Sequence, residues 1–156
     1  MATTTAPITV DPGEDHDPDA CSRAWAVLRT AHAQISECLG SALARECGLG
    51  LSDFEVLLAL RDAGAARRRI GDLGDAVALS QSALSRLVDR LEHQGLVVRS
   101  KTDDDHRAVL VSLTDEGSEM LRKAVPLHAA CVRDHLLNLL TEEEQATLVG
   151  ILGRIR

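Results

Sequence analysis

Residues 101 to 111, KTDDDHRAVLV, place Asp105 two positions before Arg107, with an apolar run directly after. At that spacing a carboxylate can hold a guanidinium by a charge-assisted hydrogen bond and keep it aimed. Asp103 and Asp104 fit the solvated side of the same loop. Upstream, LSQSALSRLVDRLEHQGLVVR puts Gln81, Ser82, Ser85, Arg86 and Asp89 on one side of a helix, opposite Leu84, Leu87, Val88 and Leu91. The first of these faces is small and hydrogen-bonding at its N-terminal end, with an arginine one turn on. Such a face can enter a major groove about 12 Å wide and read base edges. Arg107, on a hairpin tip, suits the adjacent minor groove, whose narrow and negative interior attracts an inserted guanidinium. Arg86, Arg90, Arg99 and Lys101 are the expected phosphate clamps. Arg67, Arg68 and Arg69 either reach the backbone as well or form a solvated turn.

A second set of residues suits sensing. Trp25, Arg29, His32, Phe54 and His128 could line a cleft for a small aromatic or phenolic acid, with Arg29 pairing its carboxylate. Against that, Trp25 and Phe54 taken singly are more simply core. Cys21 stands near a helix start, where the dipole lowers a thiol pKa, and Cys131 could approach it across a dimer as a redox pair. Buried free cysteine is the plain alternative. In HAACVRDH, His128, Cys131 and His135 share a helix face at i, i+3 and i+7. Glu46, Cys47 or Cys38 could complete a metal site, although dimer packing accounts equally for the histidines. A hydrolase using Cys131 with His128 or His135 lacks a Gly-rich oxyanion loop, and its residues lie along one helix rather than around a pocket. No enzyme is expected, and no cofactor.

The elements that position these residues follow from periodicity and caps. Residues 1 to 19 hold three prolines, five carboxylates and no Lys or Arg, and are expected as a disordered acidic tail. Ala24, Leu28, Ala31, Ile35, Cys38 and Ala42 alternate steps of three and four, which predicts a helix from Cys21 to about Cys47. Gly48 and Gly50 suit its end. Ser52 with Glu55 forms a capping box for a helix over 53–62. GAARRR reads as a turn, followed by a short helix over 70–77. Ser80 can cap the next helix and Gly95 close it. LVVRS and AVLVSL are strands joined by KTDDDHR. Thr114 caps a long helix that Pro126 should kink. Thr141 and Glu144 form a capping box for the last one.

Bulk composition agrees. The chain has 156 residues, 45% of them hydrophobic and 1% aromatic, with Trp25 and Phe54 as the whole aromatic set. A core of Leu, Val, Ile and Ala suits packed helices. Nothing approaches the roughly 20 apolar residues of a membrane span, and no signal peptide is apparent; a cytoplasmic protein with no membrane partner is expected. The net charge of −7 hides an uneven distribution: residues 61 to 107 hold nine bases against eight acids, while the remainder holds eight against sixteen. The middle is a relatively basic island.

The predicted fold is mainly α with a small β-hairpin: a winged helix-turn-helix flanked by N- and C-terminal dimerisation helices. The divisions are an acidic tail (1–19), a dimerisation helix (20–50), the DNA-binding domain (51–113) and C-terminal dimerisation helices (114–156). In this order LVDRLEHQGLVVR and DHRAVLVSLTDEG resemble the recognition-helix and wing signature of the MarR (multiple antibiotic resistance regulator) family of transcription factors. Asp105 and Arg107 match its Asp-x-Arg pair, and Leu113, Thr114 and Gly117 its Leu-Thr-x-x-Gly. The resemblance implies a homodimer on a pseudo-palindromic duplex operator, released when a small ligand or oxidant reaches the cleft between the dimer helices and the DNA-binding lobe. The peroxide-sensing branch places a reactive cysteine in the first helix, but the tyrosines that flank it there are absent here. The acidic DDD wing is a further departure. Packing leads independently to the dimer, since two recognition helices one DNA turn apart need a rigid connector.

Overall fold

The computed structural model describes residues 17–62, 68–77, 79–101 and 109–155. Helix α1 (Pro18–Cys47) begins inside the stretch expected to be tail. The physical reason is the Asp17-Pro18 pair. Asp17 Oδ1 accepts the Asp19 N–H at 3.0 Å, and Pro18 takes the first helical position, where a missing N–H costs nothing. The rest of the expected tail, residues 1–16, lies outside the described residues. Up to Gln34, α1 belongs to an N-terminal unit of its own, where every described side chain is exposed.

Residues 35–156 form the second unit. It contains the remainder of α1, then α2 (Leu51–Asp62), β1 (Arg68–Arg69), α3 (Ile70–Val77) and α4 (Gln81–His93). After these come β2 (Val97–Lys101), β3 (Val109–Leu113), α5 (Asp115–His135), a single 3-10 turn (Leu137–Leu139) and α6 (Glu142–Leu152). The core is aliphatic. Leu43, Leu49, Val56, Leu57, Leu73, Leu84, Val88, Leu91, Val111 and Leu121 are fully buried around the single aromatic Phe54.

Two local expectations give way to longer-range contacts. The Ser52–Glu55 capping box does not start α2. The helix begins at Leu51, and the Gly50 N–H donates instead to Asp53 Oδ2 at 2.9 Å. Asp53 prevails because its other oxygen accepts a bond from Arg90 Nη2 on α4 at 2.5 Å, which holds the carboxylate in place. GAARRR is more than a turn, because Arg68 and Arg69 pair antiparallel with Val111 and Leu110. The sheet therefore has three strands in the order β1-β3-β2. Helix α5 contains Pro126 and runs from Asp115 to His135.

Other signals are realised as expected. Ser80, Thr114 and Thr141 cap α4, α5 and α6, the last with a full capping box through Glu144. Gly48 and Gly95 adopt φ of +67° and +76°, the left-handed conformation that ends a helix. Gly117 has a different role. A Cβ there would lie 1.9 Å from the Leu96 carbonyl oxygen, so only glycine lets α5 pass this close to the turn before β2. Thr114 ties the same junction, its N–H donating to Leu96 O at 3.1 Å and its hydroxyl to Gly95 O at 2.7 Å.

Candidate nucleic-acid interface

Helix α4 is set by its two faces. Leu84, Leu87, Val88 and Leu91 are all buried, and at about 1.5–3 kcal/mol for each large aliphatic they fix the helix rotation. Gln81, Ser82, Arg86, Asp89 and Arg90 are thereby left exposed, with Ser85 half-buried. Ser80 Oγ accepts the Ala83 N–H at 3.3 Å and lies 3.4 Å from Ser82 Oγ. Among the described residues no carboxylate engages Arg86. Gln81, Ser82 and Arg86 therefore present donors and acceptors on one open face within the first two turns.

Two of the four expected phosphate clamps are already committed. Arg99, on β2, directs Nη1 at Asp89 Oδ1 (2.5 Å) and Glu92 Oε2 (2.9 Å), and Nη2 at the Ser85 carbonyl (3.3 Å). Its own N–H donates to Glu92 Oε1 at 3.0 Å. With its side chain 24% exposed, Arg99, expected as a phosphate clamp, is held by two carboxylates and fastens the wing strand to α4. It also neutralises two carboxylates that would otherwise face an anion. Arg90 is likewise paired, with an Asp53 that is only 4% exposed, and braces α4 against α2. The outer half of its side chain remains open. Lys101 ends β2. That strand pairs with β3 in the antiparallel register Val97↔Leu113 through Lys101↔Val109. The hairpin tip, with Asp105 and Arg107, lies outside the described residues, as does Arg67.

The expected sensing residues separate. Trp25, Arg29 and His32 are exposed on the N-terminal unit, Trp25 at 65%. Phe54 is buried in the other unit and stacks on His128, ring centroids 4.9 Å apart; it is core rather than a ligand-facing wall. Burial holds the His128 imidazole below its ordinary pKa. His128 is consequently not the partner of Cys131 and His135 expected from their spacing. Those two meet Cys38 of α1 instead, the three ligand atoms lying within 4.8 Å of one another. Burial and then the neighbouring Cys38 push the Cys131 thiol up to about 11, the opposite of thiolate activation. Cys21 is exposed. Burial, followed by Glu46, also raises the Cys47 thiol.

Two features had little sequence signal. Asp53 reads as one more polar residue in a helix start, and its burial depends on Arg90, 37 positions away. The second is a cavity of about 350 Å³ between α2, the end of β3 and α5, lined by Arg61, Leu113, Leu121, Arg122, Val125 and Pro126. Among the described residues no helix is long and apolar enough to cross a membrane.

Comparison with known proteins agrees with this geometry. The MarR family model matches residues 48–108, from the end of α1 into the wing. The HTH-type transcriptional regulator PecS of Dickeya dadantii is 33% identical over 108 residues, which cover 69% of this chain and 64% of PecS, under two thirds of that relative's length. AbsC, a MarR family transcriptional regulator from Streptomyces coelicolor, superposes with a TM-score of 0.81 at 32% identity, over 91% of this chain and 95% of AbsC. Sco3205, a MarR family regulator of the same organism solved in complex with DNA, gives 0.81 at 30% identity, over 86% of this chain and 87% of its own. These relatives are transcriptional regulators, not enzymes. The chain belongs to the MarR family of winged-helix transcription factors.

Proposed function

We propose that this chain is a homodimeric repressor that binds a pseudo-palindromic operator and is released by a small aromatic or phenolic ligand. The observation carrying this reading is the open face of α4, where Gln81, Ser82 and Arg86 are exposed and Arg86 meets no carboxylate among the described residues, while Leu84, Leu87, Val88 and Leu91 anchor the helix. Placed in a major groove, Arg86 meets the O6 and N7 acceptors of guanine, and Gln81 the N6 donor and N7 acceptor of adenine. Arg107, at the hairpin tip, enters the neighbouring minor groove with Asp105 holding its guanidinium. The Arg99 clip makes helix and wing one body, so both engage together. The DNA-bound structure of Sco3205 supports the same use of the fold.

Exposed apolar surface supports the dimer. Helix α6 contains Leu148, Val149, Ile151 and Leu152 yet has no buried residue, and Val149 is 72% exposed. Leu139 before it and Trp25, Val27 and Leu28 on α1 are open as well. Single proteins rarely leave such surface in water, and obligate dimers bury it. Release by a ligand is supported by the cavity beside α5, whose volume suits a small molecule. Two arginines line it, Arg61 and Arg122, each paired at the surface with a carboxylate, Asp62 and Glu119, that a ligand carboxylate would have to displace.

The test is fluorescence anisotropy on a duplex from the gene's own upstream region and on a scrambled duplex, across a salt series, with sedimentation in parallel. Tighter binding to the first duplex by two copies per site is expected, with affinity falling steeply in salt and on addition of salicylate-type acids. Equal affinity for both duplexes, or a monomer at micromolar concentration, overturns the proposal.

A further inference from the structure

One side-chain cluster lies away from the DNA-facing surface and from the cavity. Cys38 sits on the half of α1 that packs in the second unit, and Cys131 and His135 are one turn apart near the end of α5. Cys131 Sγ lies 2.6 Å from Cys38 Sγ. His135 Nδ1 lies 3.7 Å from the first helix's sulfur and 3.8 Å from the second's. Exposure rises across the trio: Cys131 is buried, Cys38 half-buried and His135 exposed. Two helices thus offer two sulfurs and one imidazole nitrogen around a common point, closed on the core side and open on the outer.

We propose that Cys38, Cys131 and His135 form a binding site for a thiophilic divalent cation of the zinc type, which pins α1 to α5. Tetrahedral zinc with Zn–S near 2.3 Å and Zn–N near 2.0 Å has S–N edges of about 3.6 Å. Both sulfur–nitrogen distances already lie within about 0.2 Å of that edge. The sulfur–sulfur edge, 2.6 Å here, would have to open to about 3.8 Å on binding. Nδ1 also stands 3.0 Å from the Cys131 carbonyl oxygen, to which it donates in the metal-free tautomer. Binding moves that proton to Nε2, on an imidazole open to water, and rotates the ring so that the Nδ1 lone pair leaves the carbonyl and meets the sulfurs. Water takes the fourth position on the exposed side.

The proton balance is definite. Each ion displaces the thiol protons of Cys38 and Cys131 and releases two protons to solvent, the imidazole binding as the neutral base. The site stands whether or not the chain binds an operator. Only an effect of the ion on DNA affinity rests on the preceding reading, through α5, whose first turn fixes the wing at Gly117.

The experiment is titration of the reduced full-length protein with Zn2+ and, for a spectrum, Co2+. Expected are one ion per chain, two protons released per ion, and cobalt–thiolate charge-transfer absorption. Cys38→Ser should abolish that absorption, and His135→Gln should weaken binding at least tenfold, both with unchanged far-UV circular dichroism; Cys21→Ser should bind as the parent does. Cys38 and His135 are chosen because the buried Cys131 is the position most prone to misfolding when replaced. An unchanged cobalt spectrum in Cys38→Ser, fewer than about 0.2 ions per chain, or thiols that only join as a disulfide under hydroperoxide would each overturn the site. Because binding is read without DNA, a failed operator assay leaves this result independent.

Discussion

Replacing Arg90 by alanine separates two roles that a surface arginine on a recognition helix could have. Its Nη2 lies 2.5 Å from Asp53 Oδ1, and the Asp53 carboxylate is nearly inaccessible to water. With Arg90 gone, that carboxylate retains the Gly50 N–H at 2.9 Å but loses its countercharge. Leaving a buried charged acceptor unsatisfied costs about 1–3 kcal/mol. The larger penalties of fully buried pairs do not apply, because the Arg90 side chain is 54% exposed and water can enter the space it vacates. The expected loss is about 2 kcal/mol, or a Tm lower by about 4–8 °C for a domain of this size. Asp53→Asn keeps an acceptor for Gly50 and leaves Arg90 in water, so its cost should be about half as large. Calorimetry of parent, both single variants and the double variant, at one protein concentration, gives the coupling directly. If Arg90→Ala melts within 1 °C of the parent while its duplex affinity falls, Arg90 is a phosphate contact and its pairing with Asp53 is incidental.

Three further outcomes are expected. Gly117→Ala puts a methyl 1.9 Å from Leu96 O, so wing and α5 must part by more than 1 Å; a loss of about 3 kcal/mol follows from overpacking and weakened Thr114 bonds, and a Tm drop under 2 °C in calorimetry would be inconsistent with this packing. Arg99→Met should destabilise by about 1 kcal/mol through its lost carboxylate contacts, whereas a phosphate clamp would leave Tm alone and reduce the salt slope of DNA binding by about 1. Burial lowers the His128 pKa below its ordinary 6.5. The unfolded chain therefore binds the proton more readily, so stability contributed by the neutral ring is complete above pH 6.5 and is lost as pH falls further. His128→Gln should flatten that part of the Tm-against-pH curve, and an unaltered curve would show that burial does not govern this histidine.

What could be read ahead of the structure was local. The stripe of Leu84, Leu87, Val88 and Leu91 fixes the rotation of α4 by itself, and Ser80, Thr114 and Thr141 with Glu144 mark helix starts through bonds no more than three residues long. Gly117 stands at a spacing whose reason appears only with Leu96 in place. The misplaced expectations share a different cause, in that each partner is remote in the chain. Asp53 displaces Ser52 as the group organising α2 because of Arg90. Arg68 and Arg69 become a strand because Val111 and Leu110 offer an edge. Arg99 turns inward because Asp89 and Glu92 stand one turn apart near the end of the neighbouring helix. His128 shares a helix face with Cys131, but Phe54 draws its ring away, and Cys38, 93 residues from Cys131, takes its place.

The most direct measurement is the base preference of Arg86→Ala against the parent, taken by binding selection from randomised duplexes at fixed salt. A guanidinium reading base edges from α4 should, when removed, relax discrimination by about 1–3 kcal/mol at a single position in each half-site, symmetrically about the operator centre. Uniform weakening at every position, or an unchanged preference, would contradict the placement of this helix in the major groove.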